Sequence, residues 1–400
     1  MPAPDAVRGG DTVQHNKNMN NKNYTIYFDN AATSFPKPPS VRAAVAQAFD
    51  RAGGNPGRGA HALALSSART VFECRERIAA FTRSGLPENV VFTLNATYAL
   101  NIAIKSLIRP GAQTVTSCFE HNSVRRPLSA LGCRVTRFDP RLPEDQFIRD
   151  IEMALRRGAE AVVCAHASNV LPIALPVGKI AALCRKYCAV CIIDASQSAG
   201  SLDVDVGAIG ADAVCFPGHK GLYGPMGCGV CVFGSRYAGD ASRLKQVTEG
   251  GSGVSSLEAA MPSLLPERFE AGTLCVPAIA GLSAGIEAVE RIGLGSLRER
   301  ERAVARRARE VIGNTRGAIL YDPPGAEGPI VLFNLDGKRP EETAALLDER
   351  GICVRAGLHC APDAHRSIGT LPLGAVRLSF GMFNTRDEVE RFAKALREIG

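Results

Sequence analysis

The sequence predicts an α/β protein: a mostly parallel sheet covered on both faces by helices, with a smaller α/β unit after it. Three observations carry this. Short apolar, β-branched runs alternate with helical periodicity over most of the chain. At 400 residues the chain is long enough for a large core and a second, smaller one. Hydrophobic residues make up 46% and charged residues 22%, as in ordinary globular proteins.

Residues 1–22 are polar and aperiodic and read as a disordered leader, with Met19 an alternative start. TIYFDNAAT then reads as a short strand entering a turn, and PPSVRAAVAQAFDRA as a helix with Pro39 near its start. GGNPGRGAH is a glycine-rich loop before the amphipathic helix LALSSARTVFECRERIAAFT. Strands follow at NVVFTL, TVTSC, CRVTRFD, AEAVVCAH, AVCIIDAS, ADAVCFPG and GCGVCVFG. Helices lie between the earlier of them, at ATYALNIAIKSLI, NSVRRPLSALG, EDQFIRDIEMALRRG and VGKIAALCRKY. Residues 240–275 read as a long loop, and 276–312 as a long helical stretch, the helices linking the two units. PIVLFNLDG, PEETAALLDERG, GICVRAG, AVRLSFG and TRDEVERFAKALREI then build the second unit. The expected division is 23–275 for the large domain, its N-terminal segment packing on the small one, and 313–400 for the small domain.

The net charge of +7 is spread out, with no dense basic tract, which argues against nucleic-acid binding. No apolar run reaches membrane-span length, and the start has no signal-peptide pattern. Thirteen cysteines, many inside strand-like runs, favour free thiols in a reducing cytoplasm. CGVC at 228–231 and CRKYCAVC at 184–191 raise the possibility of metal ligands. In the strand GCGVCVFG, however, Val230 and Cys231 point to opposite faces, so buried core thiols are the better reading.

The chemistry gathers at strand ends. Lys220 follows ADAVCF in the bend PGHKGLYGP, where partial desolvation would lower its pKa and make it a Schiff-base nucleophile. A surface turn lysine is the bland reading. Asp194 ends AVCIID at the edge where open α/β sheets bind ligands, and a buried carboxylate there needs a cationic partner. A protonated pyridine nitrogen would serve, making pyridoxal phosphate a stronger electron sink. Helix capping is the alternative for Asp194. In FTLNATYALN the backbone N–H groups of Ala96 and Thr97, with the Thr97 hydroxyl, would meet a phosphate at a helix N-terminus. His121 in CFEHNS follows another strand and could stack on a flat cofactor, or simply cap a helix.

The ordered set YFDNAAT, GNPGRGAH, EHNS, SNV, DASQ, GHKGLYGP, FEAGT and RAGLHCAP resembles the cysteine desulfurase and selenocysteine lyase family. This is the class V aminotransferase-like branch of fold type I pyridoxal 5'-phosphate enzymes, and the likeness runs from residue 27 to 385. It implies a seven-stranded large domain, a homodimer, and removal of sulfur from L-cysteine, or selenium from L-selenocysteine, with delivery to an acceptor protein. A different class V reaction would make Cys360 incidental. By resemblance Lys220 holds the cofactor and shuttles a proton, and Asp194 pairs with the pyridine nitrogen. Gln197 bonds the phenolic oxygen, while His121 stacks on the ring and helps protonate the leaving group. Thr97 and His219 hold the phosphate, with Thr273 reaching it from a second subunit. Asn169 and Arg377 bind the substrate carboxylate, with Ala32 in the substrate set, and Arg355 and Arg58 line the mouth. Cys360 is the acceptor nucleophile, on a mobile loop whose cationic neighbours, with Arg355, His359 and His365 close by, would favour the thiolate. The other twelve cysteines read as buried and structural. Pro217 departs from the pattern: relatives carry a hydroxyl residue there for the phosphate.

Overall fold

The structure is a computed structural model, which describes residues 25–57, 59–323 and 325–400. Arg58 and the leader at 1–22 lie outside the described residues.

The first unit runs β1 (Ile26–Tyr27), α1 (Pro39–Arg51), α2 (Ala62–Phe81), β2 (Val90–Thr93), α3 (Ala96–Leu107), β3 (Gln113–Ser117) and α4 (Asn122–Ala130). It continues with β4 (Arg134–Phe138), α5 (Glu144–Arg156), β5 (Ala161–Ala165), α6 (Val177–Lys186), β6 (Val190–Asp194), α7 (Val206–Ile209), β7 (Ala213–Pro217) and β8 (Gly229–Phe233). Seven of these strands form one sheet in the order β2-β8-β7-β6-β5-β3-β4. Only β8 runs against its neighbours. The carboxyl ends of β2, β3, β5, β6 and β7 therefore lie along one edge. Strands β5 and β7 are buried at every position, which is why they read as unbroken apolar runs rather than alternating ones. Helices cover both faces and make two apolar cores, one centred on residues such as Ile193 and Phe216, the other on Ile192 and Phe233.

The chain then crosses through α8 (Val276–Ile292) and α9 (Leu294–Gly313). The sequence predicted a long helical stretch of linking helices here. It breaks at Gly293, whose φ of +84° lies in the region that favours glycine. The second unit contains β9 (Ala318–Leu320), β10 (Ile330–Leu335), α10 (Pro340–Asp348), β11 (Ile352–Cys353), β12 (Arg355–Gly357), α11 (Pro362–Ser367), β13 (Ala375–Ser379) and α12 (Arg386–Ile399). Its antiparallel sheet, in the order β12-β13-β10-β9, shares a separate core with α9 and α12. Strand β1 pairs in parallel with β11, tying the start of the described chain to this unit. Residues 240–275 carry no long helix or strand, as expected. Elements α7, β9 and α11 were not anticipated, since three to six residues are too few to show a period. No helix among the described residues is long and apolar enough to cross a membrane.

Candidate functional site

Strand-end loops at the carboxyl edge enclose a cavity of about 290 Å³. Its wall includes Ala96, Thr97, His121, Asn169, Asp194, Gln197, His219 and Lys220, so eight of the residues singled out from sequence meet in one place. This follows from topology. Parallel strands deliver their following loops to the same edge, and the chain reverses its direction of travel between β3 and β5, where a crevice opens.

Lys220 sits in a turn that only glycine permits. A Cβ on Gly221 would lie 2.4 Å from the Ala199 carbonyl oxygen, so the turn packs directly on the loop after β6. Burial pushes the Lys220 pKa down to about 8, reinforced by Arg377 and Arg355 and opposed by Asp194. Asp194 ends β6 and is 5% exposed. Its Oδ1 accepts the Ser196 N–H at 2.9 Å, while Oδ2 has no hydrogen bond among the described residues. Gln197 Nε2 donates to the Ala31 carbonyl at 3.0 Å. Ala32 follows in the turn after β1, its N–H bonded to Asp29 O at 3.1 Å.

His121 caps α4, and its Nδ1 accepts the Ser123 N–H at 3.1 Å. In the neutral ring the proton is therefore on Nε2. Burial holds the ring pKa below its ordinary value, against the pull of Asp194. Ser123 Oγ lies 2.8 Å from that same bare Nδ1, so it donates there. Its further 2.8 Å contact with Thr97 Oγ1 then needs the threonine proton. In this arrangement the Thr97 hydroxyl is spent on Ser123, and the first-turn N–H groups of α3 are the donors left for an anion. Ser123 lines the cavity and brings a hydroxyl into the region that Pro217 leaves without one. Sequence reasoning missed it, because a serine in a capping turn is unremarkable. The His219 ring is driven by burial to a pKa of about 4, and its carbonyl accepts from Ser34 and Lys37.

Glu120 was also missed. Fully buried, it accepts the Ala165 N–H at 3.1 Å and the Ser117 hydroxyl, while Oε2 has no partner among the described residues. Burial pushes its pKa up to about 8, with Asp194 adding to the effect.

The residues expected to hold a substrate carboxylate are engaged with protein. Arg377, on β13 and 2% exposed, pairs with Asp29 Oδ1 at 2.7 Å and donates to Asn169 O at 2.9 Å. Its Nε is buried without a partner among the described residues. Arg355 stands opposite it on β12. Asn169 donates its amide to the His359 carbonyl at 2.7 Å. Thr273 is exposed, accepts from Asn55 at 3.1 Å, and lies outside this cavity.

Cys360 is exposed in the turn between β12 and α11. The turn is pinned to the first unit: Asn169 holds the His359 carbonyl, and the Asn122 N–H holds the Cys360 carbonyl at 2.7 Å. That places the cysteine beside the residue that follows His121. The expectation of cationic histidines around it is corrected. Both rings are buried and stacked, with centroids 5.2 Å apart. Burial lowers the His365 pKa to about 4 and that of His359 well below its usual value. One direction of donation pairs every ring nitrogen: Thr370 Oγ1 to His365 Nδ1 at 2.7 Å, His365 Nε2 to His359 Nδ1 at 3.0 Å, and His359 Nε2 to Arg355 O at 3.3 Å. The histidines brace the turn and carry no charge to the thiol.

The remaining cysteines are less uniform than expected. Seven are buried, with Cys215 and Cys231 facing each other across β7 and β8 at 3.7 Å, but Cys188 and Cys275 are exposed and three others half-buried.

A desolvated lysine and a buried aspartate at the ends of neighbouring strands, beside a helix N-terminus, define a lysine-centred enzyme site with an anion cradle. Residues 26–392 match the family model described as aminotransferase class-V. The chain belongs to that family. A probable cysteine desulfurase of Methanothermobacter thermautotrophicus is 33% identical over 384 residues, covering 94% of each chain. One of Pyrococcus abyssi is 32% identical, again over 94% of each. The apo structure of a cysteine desulfurase from Thermococcus onnurineus NA1 superposes with a TM-score of 0.84 at 31% identity, over 94% of each chain. The fold is therefore that of pyridoxal-phosphate-dependent cysteine desulfurases.

Proposed function

We propose that this protein is a pyridoxal-phosphate-dependent cysteine desulfurase, converting L-cysteine to L-alanine with transient storage of the sulfur on Cys360. The observation that carries the reading is the bond from the Asn122 N–H to the Cys360 carbonyl, which sets an exposed thiol beside the cavity of Lys220, Asp194 and His121. The donor set fits the cofactor: an amine of lowered pKa for an aldehyde, a free carboxylate oxygen for a pyridine N–H, and first-turn amides of α3 for a phosphate. When bound, pyridoxal phosphate supplies an electrophilic carbon for the substrate amine and a ring that stores an electron pair from Cα.

The chain's own residues do the rest. Lys220 takes the Cα proton and returns one. Asp194 and Gln197 would orient the ring, while the N–H groups of Ala96 and Thr97, with His219, would seat the phosphate and Thr273 would arrive from a second copy. Arg377 and Asn169 take the substrate carboxylate, after exchanging Asp29 and His359 for it, with Ala32, Arg355 and Arg58 around it. His121 Nε2–H gives the proton that completes the methyl group of alanine. The Cys360 thiolate bonds to the substrate sulfur as the carbon–sulfur bond breaks. Its electron pair passes to the carbon, and cysteine plus thiol become alanine plus persulfide. The persulfide then passes to an acceptor protein.

Domain limits at 23–275, 276–312 and 313–400, a homodimer, and a reducing cytoplasm complete the proposal. Exposed Leu65 and Phe72, one heptad apart on α2, support a subunit contact. Thirteen free thiols support the compartment. The test is alanine release from L-cysteine and L-selenocysteine by wild type and Cys360→Ala, with mass spectrometry of Cys360. A persulfide on Cys360 and loss of cysteine turnover in the variant are expected. Full turnover by Cys360→Ala overturns the reading, and faster release from selenocysteine makes the protein a selenocysteine lyase.

A further inference from the structure

A second cavity, of about 160 Å³, is lined by residues of both units and so lies at the seam between them. This is comparable to an engineered cavity of ~150 Å³ that admits benzene. The two cavities share only Ala167, Gln197 and Lys220 in their walls. Leu171, Ile173, Leu202 and Phe380 give the second an apolar part, set among polar and charged residues such as Asn30, Lys220, Arg298 and Glu327. One of the charged residues stands apart from the rest. Glu301 of α9 is 6% exposed, and its carboxyl group has no hydrogen bond or ion pair among the described residues. Burial alone pushes its pKa up to about 8.

A buried carboxyl group without a partner is costly. Replacing it with an apolar residue would cost little, so its presence against an open space points to a ligand that donates to it. Neighbouring charges suit this. Arg302 is already paired with Glu327 at the rim. Arg298, one turn before Glu301 on α9, is exposed and makes no ion pair among the described residues. Lys220 also lines the cavity, and its burial favours the uncharged amine.

We infer that this cavity binds a small aliphatic ammonium group, with its N–H donors on Glu301 and its carbon body against Leu171, Ile173 and Leu202. Two sources share that chemistry. A simple alkylamine uses Glu301 alone, whereas an apolar α-amino acid also presents a carboxylate toward Arg298. The occupant would touch the first unit through the loop after β5 and the second through Ile330 and Ser379, so it would bridge the seam. It would also lie against Gln197 and Ala31, whose hydrogen bond borders the cavity.

The test is calorimetric titration of isobutylamine and L-valine into full-length protein treated with borohydride, so that no imine at Lys220 can exchange with the added amine. Glu301 and Arg298, which the test probes, lie outside the proposed cofactor cavity, so the result stands whether or not that reading holds. Saturable binding of at least one probe, one per chain, is expected. Glu301→Gln should weaken it about tenfold or more, since a hydrogen bond to a charged group is lost. Ala174→Phe at the exposed rim should block it without touching the carboxyl group, and serves should the first variant not fold. If Arg298→Ala weakens valine alone, the ligand is an amino acid; if valine does not bind and isobutylamine does, it is a simple amine. No saturable binding of either probe, or full affinity in Glu301→Gln, overturns the inference.

Discussion

The state of Lys220 can be measured directly on cofactor-free protein. An aldehyde is attacked only by the uncharged amine. With a pKa of about 8, roughly a quarter of Lys220 is uncharged at pH 7.5, against about one in a thousand at the ordinary value of 10.5. Capture of pyridoxal phosphate at that pH should thus be favoured roughly 200-fold over an exposed lysine. Stopped-flow visible absorbance between about pH 6 and 11 should show a rate that rises and levels off around the lowered pKa. Borohydride reduction and peptide mapping would assign the product to Lys220. Asp194 is the nearby carboxylate that holds the pKa up against burial and the arginine charges. Asp194→Asn should therefore move the midpoint to lower pH, even as it weakens the final complex. A midpoint near 10.5 in the wild type, or an upward move in Asp194→Asn, would refute desolvation as the activating device.

Three further outcomes follow from the geometry. Glu120→Gln keeps the acceptor oxygen that faces Ala165 and Ser117 but removes a charge that burial disfavours; because the folded pKa is raised from 4.5 to about 8, the glutamate's stabilising contribution is complete below about pH 4.5 and is lost as pH rises through about 8. The variant should match wild type near pH 4.5 and exceed it above pH 8 by an amount on the order of 3–5 kcal/mol in urea unfolding, and equal stabilities at high pH would contradict this. Gly229→Ala places a Cβ 2.3 Å from the backbone of Asn95, so the turn into α3 must shift; cofactor retained after dialysis should fall, with an affinity loss of about tenfold or more, and unchanged retention would exclude that turn from the phosphate cradle. Asp29→Asn leaves the buried Arg377 guanidinium without its counter-charge and should cost about 3 kcal/mol or more in unfolding free energy, whereas a neutral result would mean that the guanidinium relaxes toward solvent.

Much of the site was legible because a parallel sheet turns sequence order into place. Asp194 ends β6, and Lys220 follows the end of β7, its neighbour in the sheet. Reading both as strand-end residues was enough to bring them together. What the sequence hid was the electrostatic state of each group, which burial decides. His359 and His365 count as potential cations near Cys360 until the fold stacks them in a dry layer where both are neutral. Glu301 sits in RERERAVARRARE, a run that reads as a solvated face, yet the packing of one unit on the other buries its carboxyl group. Ser123 and Glu120 flank His121 in a stretch where any capping turn would look the same.

The turn at Cys360 shows how such hidden terms combine. His359 and Cys360 have φ of +51° and +56°, left-handed conformations that cost L-residues roughly 1–2 kcal/mol each. Set against this are the two bonds from Asn169 and Asn122 to their carbonyls, each contributing about 1 kcal/mol net. The strain, about 2–4 kcal/mol in all, is at least as large as the roughly 2 kcal/mol that the two bonds return. A sequence reading expected a mobile loop from its glycines; the structure instead ties the turn down by bonds that work against strain of their own size or more. Asn169 ties these together, since its amide is the group that the proposed substrate carboxylate would claim. Substrate arrival would then remove one of the two bonds, and the turn would be free to swing at the moment its sulfur is needed. Asn169→Ala should accordingly raise the rate at which an aromatic disulfide labels Cys360 in the absence of substrate, and an unchanged rate would separate the turn from the carboxylate site.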